Sequence, residues 1–505
     1  MHLTPSDKEL LNVKDISEQE VERQLDTFKN GIPYVNIIDF AKVGNGILKL
    51  SGEKKEAFSE TYDKSNVKVV KFTPASGAAT RMFKAVHAFL KETEIKEDTI
   101  SKHLKQNKYS AVKRLAEGIE QLPFYKDAKQ YAIETYDNFS KHTELEQKTL
   151  IIDAIVDPDG LGYSKFPKGL IPFHQYNGKT LNPFEEHLDE AKEYAKKEEK
   201  AYLNFSISED HESKFKENLE QYLKSYKHSD TNFHVDFSYQ KAKTDTIAVN
   251  IDNTPYRDKN NNLFFRPGGH GALIFNLNEI DADLIFIKNI DNVSKRQTDK
   301  NETIVYKKVL AGLLLDVQHK LFSFQEQLEK SPNEELLSEV RAFMVNTLNI
   351  KSPAENPEDL MKELHRPLRV CGMVKNDGEP GGGPFWIEDD GKVSLQIVET
   401  SQIDQKNDHQ NNILTNATHF NPVDIVCGVK DYKGNAFDLE DYINPKRAFI
   451  AQKSIEGKNI KALELPGLWN GAMEFWHSIF VEVPISTFNP VKTVADLLKP
   501  AHQDN

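Results

Sequence analysis

The sequence predicts an α/β fold, a mixed and mostly parallel sheet with helices on both faces, on three observations. A short β-branched run, Val67–Phe72, leads through the small-residue turn PASGA into the helical periodicity of TRMFKAVHAFL, the unit that opens many nucleotide-binding α/β folds. From residue 150 onward, strand-like and helix-like segments alternate, as parallel sheets require. The chain of 505 residues is 38% apolar and 10% aromatic, enough to bury a large core rather than stay unfolded.

The first ~60 residues read as helical. Ser17-Glu18-Gln19-Glu20 forms a capping box, Val21, Leu25 and Phe28 recur at helical spacing, and Gly31 closes the segment. This region, 1–62, carries no chemistry of its own. An α/β core then spans 63–430, interrupted by a lysine-rich helical insertion over about 85–148. TLIIDAIV (149–156) reads as a strand, FEEHLDEAKEYAKK as a helix, YLNFSIS (202–208) as a strand and HESKFKENLEQYLKSY as a helix. DTIAVNID, LFFRPGGHGALI and ADLIFIKNIDNV follow as strands and loops, residues 304–349 as helix, and 366–430 as strands around a Gly-rich turn. A small α+β region, 431–505, completes the chain.

Composition narrows the function. With 65 basic and 78 acidic residues, the net charge of −13 argues against a nucleic-acid binder that neutralises phosphates along a basic face. Two cysteines, Cys371 and Cys427, make no disulfide framework and fit a reducing cytosol. The N-terminal residues contain no apolar signal region, and no apolar run approaches a membrane span, LAGLLLDV being among the longest. The expectation is a cytoplasmic protein with neither nucleic-acid nor membrane partners. No GxxxxGK[ST] loop, GxSxG elbow, HExxH or Cys/His zinc spacing occurs. The Glu185-Glu186-His187 cluster reads as a solvated helix face, and GEPGGGP (378–384) as a turn.

The chemistry present sits in loops after apolar strands, where α/β sheets bind ligands. In the first, 74–82, the small residues Ser76, Gly77, Ala78 and Thr80 let backbone N–H groups approach an anion, and Arg81 can grip phosphate oxygens. In the second, Pro167 fixes the backbone before Lys168. The third sets Gly269, His270 and Gly271 in RPGGHG, backbone suited to a flat ligand such as a base. The fourth ends a buried strand in Asn289-Ile-Asp291-Asn292, where a carboxylate can serve Mg²⁺ beside phosphate oxygens. Near the end, Pro490 aims Lys492. Together these form a phosphoryl- or nucleotidyl-transfer inventory, which needs positioning and charge neutralisation but no triad.

These pieces resemble the UDP-sugar pyrophosphorylases of the UDP-glucose and UDP-N-acetylglucosamine type. SGAATRM and PKGL resemble that family's signature loop and its PKG, RPGGHGAL its PPGHGD, NIDNV its NxDNL, and FNPVKTVADLL (488–498) its RFxPVKxxxDLL. The matches run in family order from about 67 to 498. As a whole the chain resembles a bacterial domain-of-unknown-function family related to these enzymes. The resemblance implies a glycosyltransferase-A-type nucleotidyltransferase core, making UDP-sugar and pyrophosphate from UTP and a sugar 1-phosphate with Mg²⁺. It implies that Gly77, Thr80 and Arg81 cradle the triphosphate, with Ser76 and Ala78 beside them, and that Lys168 and Lys492 neutralise phosphates. It places Gln240 (FSYQK) and Gly269 to Gly271 at the uracil, Asp291 at Mg²⁺, and Glu399 and Asn416 (NATHF) at the sugar. A glycosyl- or phosphosugar transferase, or a non-catalytic nucleotide-sugar-binding protein, would use the same core. The loop carries Ser76 and Ala79 where the family has glycine, and Ala272 stands where the family often has aspartate. A side chain aimed into the loop at 76 or 79 would hinder a phosphate.

Overall fold

The computed structural model describes residues 3–225, 230–378, 381–455 and 457–504. The last residue of the 211–226 segment, and Glu379 and Pro380 of the Gly-rich turn, lie outside the described residues. The chain forms two compact units, one of Met1–Phe72, Ser238–Ile287 and Tyr306–Ile485, the other of Thr73–Phe237, Lys288–Val305 and Ser486–Asn505.

In the first unit, strands Gly46–Leu48, His477–Glu482, Leu368–Lys375, His419–Gly428, Leu284–Ile287 and Val69–Pro74 lie side by side in that order. Leu284 pairs with Val69 and Leu368 with His477 in parallel register, and Phe480 with Ile47 likewise. Only His419–Gly428 runs antiparallel to its neighbours. The sheet is therefore mostly parallel, as the alternation predicts. Its strands are near-continuous apolar runs, Leu284–Ile287 wholly buried, because both faces of such a sheet are covered. Two antiparallel sheets accompany it: Ile37–Phe40 with Gly383–Asp389 and Lys392–Val398, and Phe265–Arg266, Thr246–Asn250, Lys458–Glu464 and Phe449–Ile455. Helix Glu18–Asn30 starts where Ser17 accepts the Glu20 N–H and stops at Gly31, φ 75°; the capping box is only half formed, because the Glu20 carboxylate accepts from Arg23 and Gln24 instead of the Ser17 N–H. Its Val21, Leu25 and Phe28 pack with Ile247, Val249 and Phe265 of the second of these sheets. Both cysteines are buried and free.

Helix Gly52–Lys64 crosses residues 306–330 of the long helix Gln297–Lys330 so closely that a Cβ at Gly312 would run into the Phe58 carbonyl oxygen. The obstacle is backbone and cannot rotate away. Gly312→Ala is expected to destabilise the protein by about 3 kcal/mol, the upper range for overpacking. Urea unfolding checks this: an unchanged midpoint would mean the helices separate without cost.

The second unit opens with a helical cluster, from Lys84–Glu92 to Glu144–Val156, around buried Phe83, Phe89, Tyr109 and Phe124. This corrects the reading of 149–156 as a strand: TLIIDAIV is the last two turns of a helix begun by a Thr143/Glu146 capping box. Thr149 to Ile152 and Ala154 to Val156 are all buried. A helix wrapped on most sides loses its polar face, so its apolar run looks like a buried strand. Strand Lys200–Ile207 then lies between helices Pro183–Tyr194 and Glu212–Ser225 in the sequence and pairs with Asn232–Tyr239.

The same helix Pro183–Tyr194 overturns the solvated-face reading of Glu185-Glu186-His187, since Glu186 is 1% exposed and His187 wholly buried. Glu186 accepts hydrogen bonds from Tyr176 (2.7 Å) and Lys300 (2.8 Å) and pairs with His174 Nδ1 at 2.6 Å. His174 Nε2 in turn meets His502 Nδ1 at 2.9 Å. Charges so deep are tolerated because every one has an opposite or hydrogen-bonding partner.

No helix among the described residues is long and apolar enough to cross a membrane.

Candidate functional site

The second unit assembles the phosphate-directed residues. After strand Val69–Pro74 the loop residues Ser76, Gly77 and Ala78 are exposed, and a one-turn 3₁₀ helix, Ala79–Arg81, follows. The loop is braced against 166–168: Ala78 bridges Pro167, Ala79 N–H donates to the Phe166 carbonyl (3.0 Å) and Lys168 N–H to that of Gly77 (3.1 Å). The fold thus returns Lys168 across more than eighty intervening residues to the side of Gly77. The backbone N–H groups of Ser76, Gly77 and Ala78 meet no acceptor among the described residues. Three successive free donors in an exposed turn suit an anion. A Cβ at Gly77 would meet nothing within 4 Å.

Ala79 is 1% exposed, its methyl group in the apolar cluster with Met82 and Phe83. It points away from the open side of the loop, so it puts no obstacle there. Ser76 lies on that open side. Thr80 Oγ1 donates to the Ser164 carbonyl at 3.3 Å. Arg81 is exposed, with no side-chain hydrogen bond or ion pair among the described residues.

Lys168 Nζ lies 2.5 Å from Asp291 Oδ2, both side chains about one-fifth exposed or less. Four contacts hold the Asp291 loop. Its carbonyl accepts the Val491 N–H (3.2 Å), Asn292 bridges Pro490, and buried Asn292 hydrogen-bonds the Asn489 N–H and the Thr487 carbonyl. Val494 N–H reaches the Met82 carbonyl at 3.2 Å, tying the segment of Lys492 to the end of the small-residue loop. Arg81, Lys168, Asp291 and Lys492 are therefore on backbone segments hydrogen-bonded to one another.

His187 Nε2 reaches the carbonyls of Asn289 and Ile290, each at 3.2 Å, and supports the loop just before Asp291. Lys288, 3% exposed, pairs with Glu190 at 2.6 Å. Sequence reasoning missed both helix residues because charge in a helix reads as solvent exposure. No signal in the sequence separates the two cases.

Asp291 is a single carboxylate, and no group of three or more His, Cys, Asp or Glu side chains among the described residues could hold a metal. That donor set fits Mg²⁺ only when nucleotide phosphates and water complete the shell, its usual habit.

The first unit gathers the other candidates. Gln240 Nε2 contacts Thr244 Oγ1 at 3.4 Å, and a Cβ at Gly268 would strike the Thr244 carbonyl oxygen. Gly269, φ 75°, and Gly271 lie against Glu464 and Pro466, so protein backbone and side chain already fill the space that glycine leaves. His270 meets Trp469 edge-on, centroids 3.8 Å apart, and burial holds its pKa down to about 4. Trp469 Nε1 donates to Glu399 Oε1 (3.4 Å), as does Asn421 Nδ2 (3.1 Å). Burial raises the Glu399 pKa, against the pull of those two donors. Trp469 is fixed in turn by Arg369, fully buried, whose Nη1 donates to its carbonyl at 2.6 Å. Asn416 stands apart from this group. It is exposed at the end of helix Asp408–Thr415, with Nδ2 on the Asn412 carbonyl at 2.8 Å. The buried asparagine beside Glu399 is Asn421, five residues on.

A family model described as a domain of unknown function (DUF4301) matches residues 4–503. No curated protein sequence matches the chain. Among solved structures it is similar to UDP-glucose phosphorylase from Trypanosoma brucei, at 13% identity and a TM-score of 0.47, covering 98% of this chain and 77% of that one. It is also similar to a variant of UDP-glucose pyrophosphorylase from Leishmania major in complex with UDP-glucose, at 13% identity and a TM-score of 0.44, covering 98% of this chain and 79% of that one.

Proposed function

The chain belongs to the DUF4301 family, and we propose that it is a Mg²⁺-dependent nucleotidyltransferase that converts UTP and a sugar 1-phosphate into a UDP-sugar and pyrophosphate. The observation that carries this reading is the row of unpartnered N–H groups at Ser76, Gly77 and Ala78, braced beside the Lys168–Asp291 pair. A triphosphate offers the anionic oxygens such donors lack. On its arrival Lys168 would turn from Asp291 to phosphate oxygens, with Arg81 and Lys492 as further cations. Asp291, released from Lys168, would hold Mg²⁺, which when bound supplies charge neutralisation at the phosphates.

In the reaction an ionised oxygen of the sugar phosphate forms a bond to the α-phosphorus of UTP while the bond to pyrophosphate breaks. The nucleophile is already an anion, so no residue need remove a proton. The resemblance assigns Gln240 and Gly269 to Gly271 to the uracil; because Glu464 and Pro466 occupy the space beside Gly269 and Gly271, a base would have to approach from another side. Glu399 is assigned to sugar hydroxyls, with Asn421 rather than the exposed Asn416 beside it.

The test is pyrophosphate release from UTP and Mg²⁺ across a panel of hexose and N-acetylhexosamine 1-phosphates. Release that depends on one sugar phosphate is expected. UTP binding with no release on any of them would sink the reading and favour a nucleotide-sugar-binding protein. Consumption of UDP-sugar without pyrophosphate would favour a transferase. In the active enzyme, Glu399→Gln should raise KM for the sugar phosphate about tenfold and leave KM for UTP nearly unchanged. Equal effects on both would remove Glu399 from the sugar side.

A further inference from the structure

A separate cavity of about 510 Å³ lies within the first unit. Arg366, just before strand Leu368–Lys375, and His477, at the start of its parallel neighbour His477–Glu482, both line it. It therefore lies at the N-terminal ends of those strands. Arg81, Lys168, Asp291 and Lys492 are not among the residues that line it.

Its charge is unbalanced. Arg366, Lys351 and Lys392 line it, and none has a side-chain ion pair among the described residues. Arg366 also makes no side-chain hydrogen bond among them, and burial lowers its pKa. Of the two carboxylates in the wall, Glu363 acts on Arg366 through its charge but makes no ion pair with it, and Glu474 is engaged elsewhere. Glu474 is gripped by Arg447 through two hydrogen bonds, at 2.6 and 2.9 Å, and by Asn444 at 2.7 Å, while Glu363 accepts the Ala354 N–H at 3.0 Å. Arg366 thus has only the charge of Glu363 near it, and Lys351 lies over the Trp386 ring, 4.0 Å from its centroid, so no carboxylate forms an ion pair with any of the three cations among the described residues.

Two buried polar atoms in the same wall lack partners as well. Gln396 Nε2 donates to the Glu474 carbonyl at 3.0 Å, which fixes the amide and leaves Oε1 without a donor. Trp476 Nε1, on a ring 4% exposed, has no acceptor among the described residues. Buried groups left unpaired destabilise the fold, so a wall that holds both an orphan donor and an orphan acceptor is incomplete alone. The volume lies in the range of small-molecule sites and far exceeds that of a bare anion.

We propose that this cavity is a second, non-catalytic site for a small organic phosphate with a ring-sized body, its phosphate held by Arg366, Lys351 and Lys392. Phosphate is favoured over carboxylate because a dianion answers three cations better than a monoanion, and guanidinium binds phosphate oxygens two at a time.

Phenyl phosphate is the probe, with inorganic phosphate and phenylacetate as comparators, in calorimetric titrations of the full chain. Phenyl phosphate should bind more tightly than either comparator. Arg366→Gln should weaken it at least about tenfold, the effect of losing a charge-assisted contact. Lys492→Ala should leave it unchanged. Should Arg366→Gln fail to fold, the exposed pair Lys351→Gln and Lys392→Gln together should weaken binding to a similar degree. Binding lost in Lys492→Ala but kept in Arg366→Gln would assign the phosphate to the transfer residues and overturn the proposal. Equal affinity for phenylacetate, or no saturable binding of phenyl phosphate, would overturn it too. These outcomes are independent of pyrophosphate release.

Discussion

Asp291→Asn and Lys492→Ala should each lower pyrophosphate release about 10²–10³-fold, the cost of losing one charged contact where phosphate charge develops. The two changes act differently on the resting protein. Asp291→Asn removes the partner of Lys168, now 2.5 Å away, and with it the carboxylate assigned to Mg²⁺. The variant's requirement for Mg²⁺ should therefore rise together with its loss of rate. Lys492→Ala keeps the Lys168–Asp291 pair and should lose rate without a changed Mg²⁺ dependence. The backbone contact between Val491 and Asp291 involves no atom of either altered side chain, so both variants should fold. Release measured against Mg²⁺ concentration separates them. Undiminished turnover in Asp291→Asn would withdraw the metal assignment while leaving the cationic cluster standing.

Glu186→Ala should cost about 3–5 kcal/mol of stability, because it strands buried positive charge without its partner. Lys300 and His174 both lean on this carboxylate. Burial alone would push the Glu186 pKa up; the His174 hydrogen bond and charge, followed by Lys300, outweigh it and bring it down to about 2 from 4.5. A carboxyl so depressed stabilises the fold above pH 4.5, and that contribution, about 3 kcal/mol, is lost as pH falls toward 2. His502 adds an earlier step. Burial, and then the neighbouring His174, hold its pKa down to about 3 from 6.5, so the unfolded chain takes up its proton first. Stability should begin to fall as pH drops below about 6.5, by about 2 kcal/mol from this group at pH 5. Urea midpoints at pH 7, 5, 4 and 2.5 check both steps. A flat profile from 7 to 4 would place His502 in contact with water.

Much of the fold was legible because its signals are local. Continuous apolar runs such as Leu284–Ile287, the Ser17 cap and the Gly31 stop follow from neighbouring residues alone. So did the small-residue loop, whose exposed turn needs only a strand before it. TLIIDAIV and Glu185-Glu186-His187 failed for one shared reason: each lies on a helix enclosed by partners distant in the sequence. Enclosure erases the polar face that marks a helix, and it also buries charge wherever partners such as His174 and Lys300 arrive. The candidate site divides in the same way. Which residues carry charge or lack a side chain was written in the sequence by itself. That Lys168 comes to Gly77 and Asp291, that Ala79 faces the core, and that Asn421 rather than Asn416 meets Glu399 were decided only by tertiary structure. Hydrogen bonds and packing between segments set those meetings, and neither has a spacing rule that a linear sequence displays.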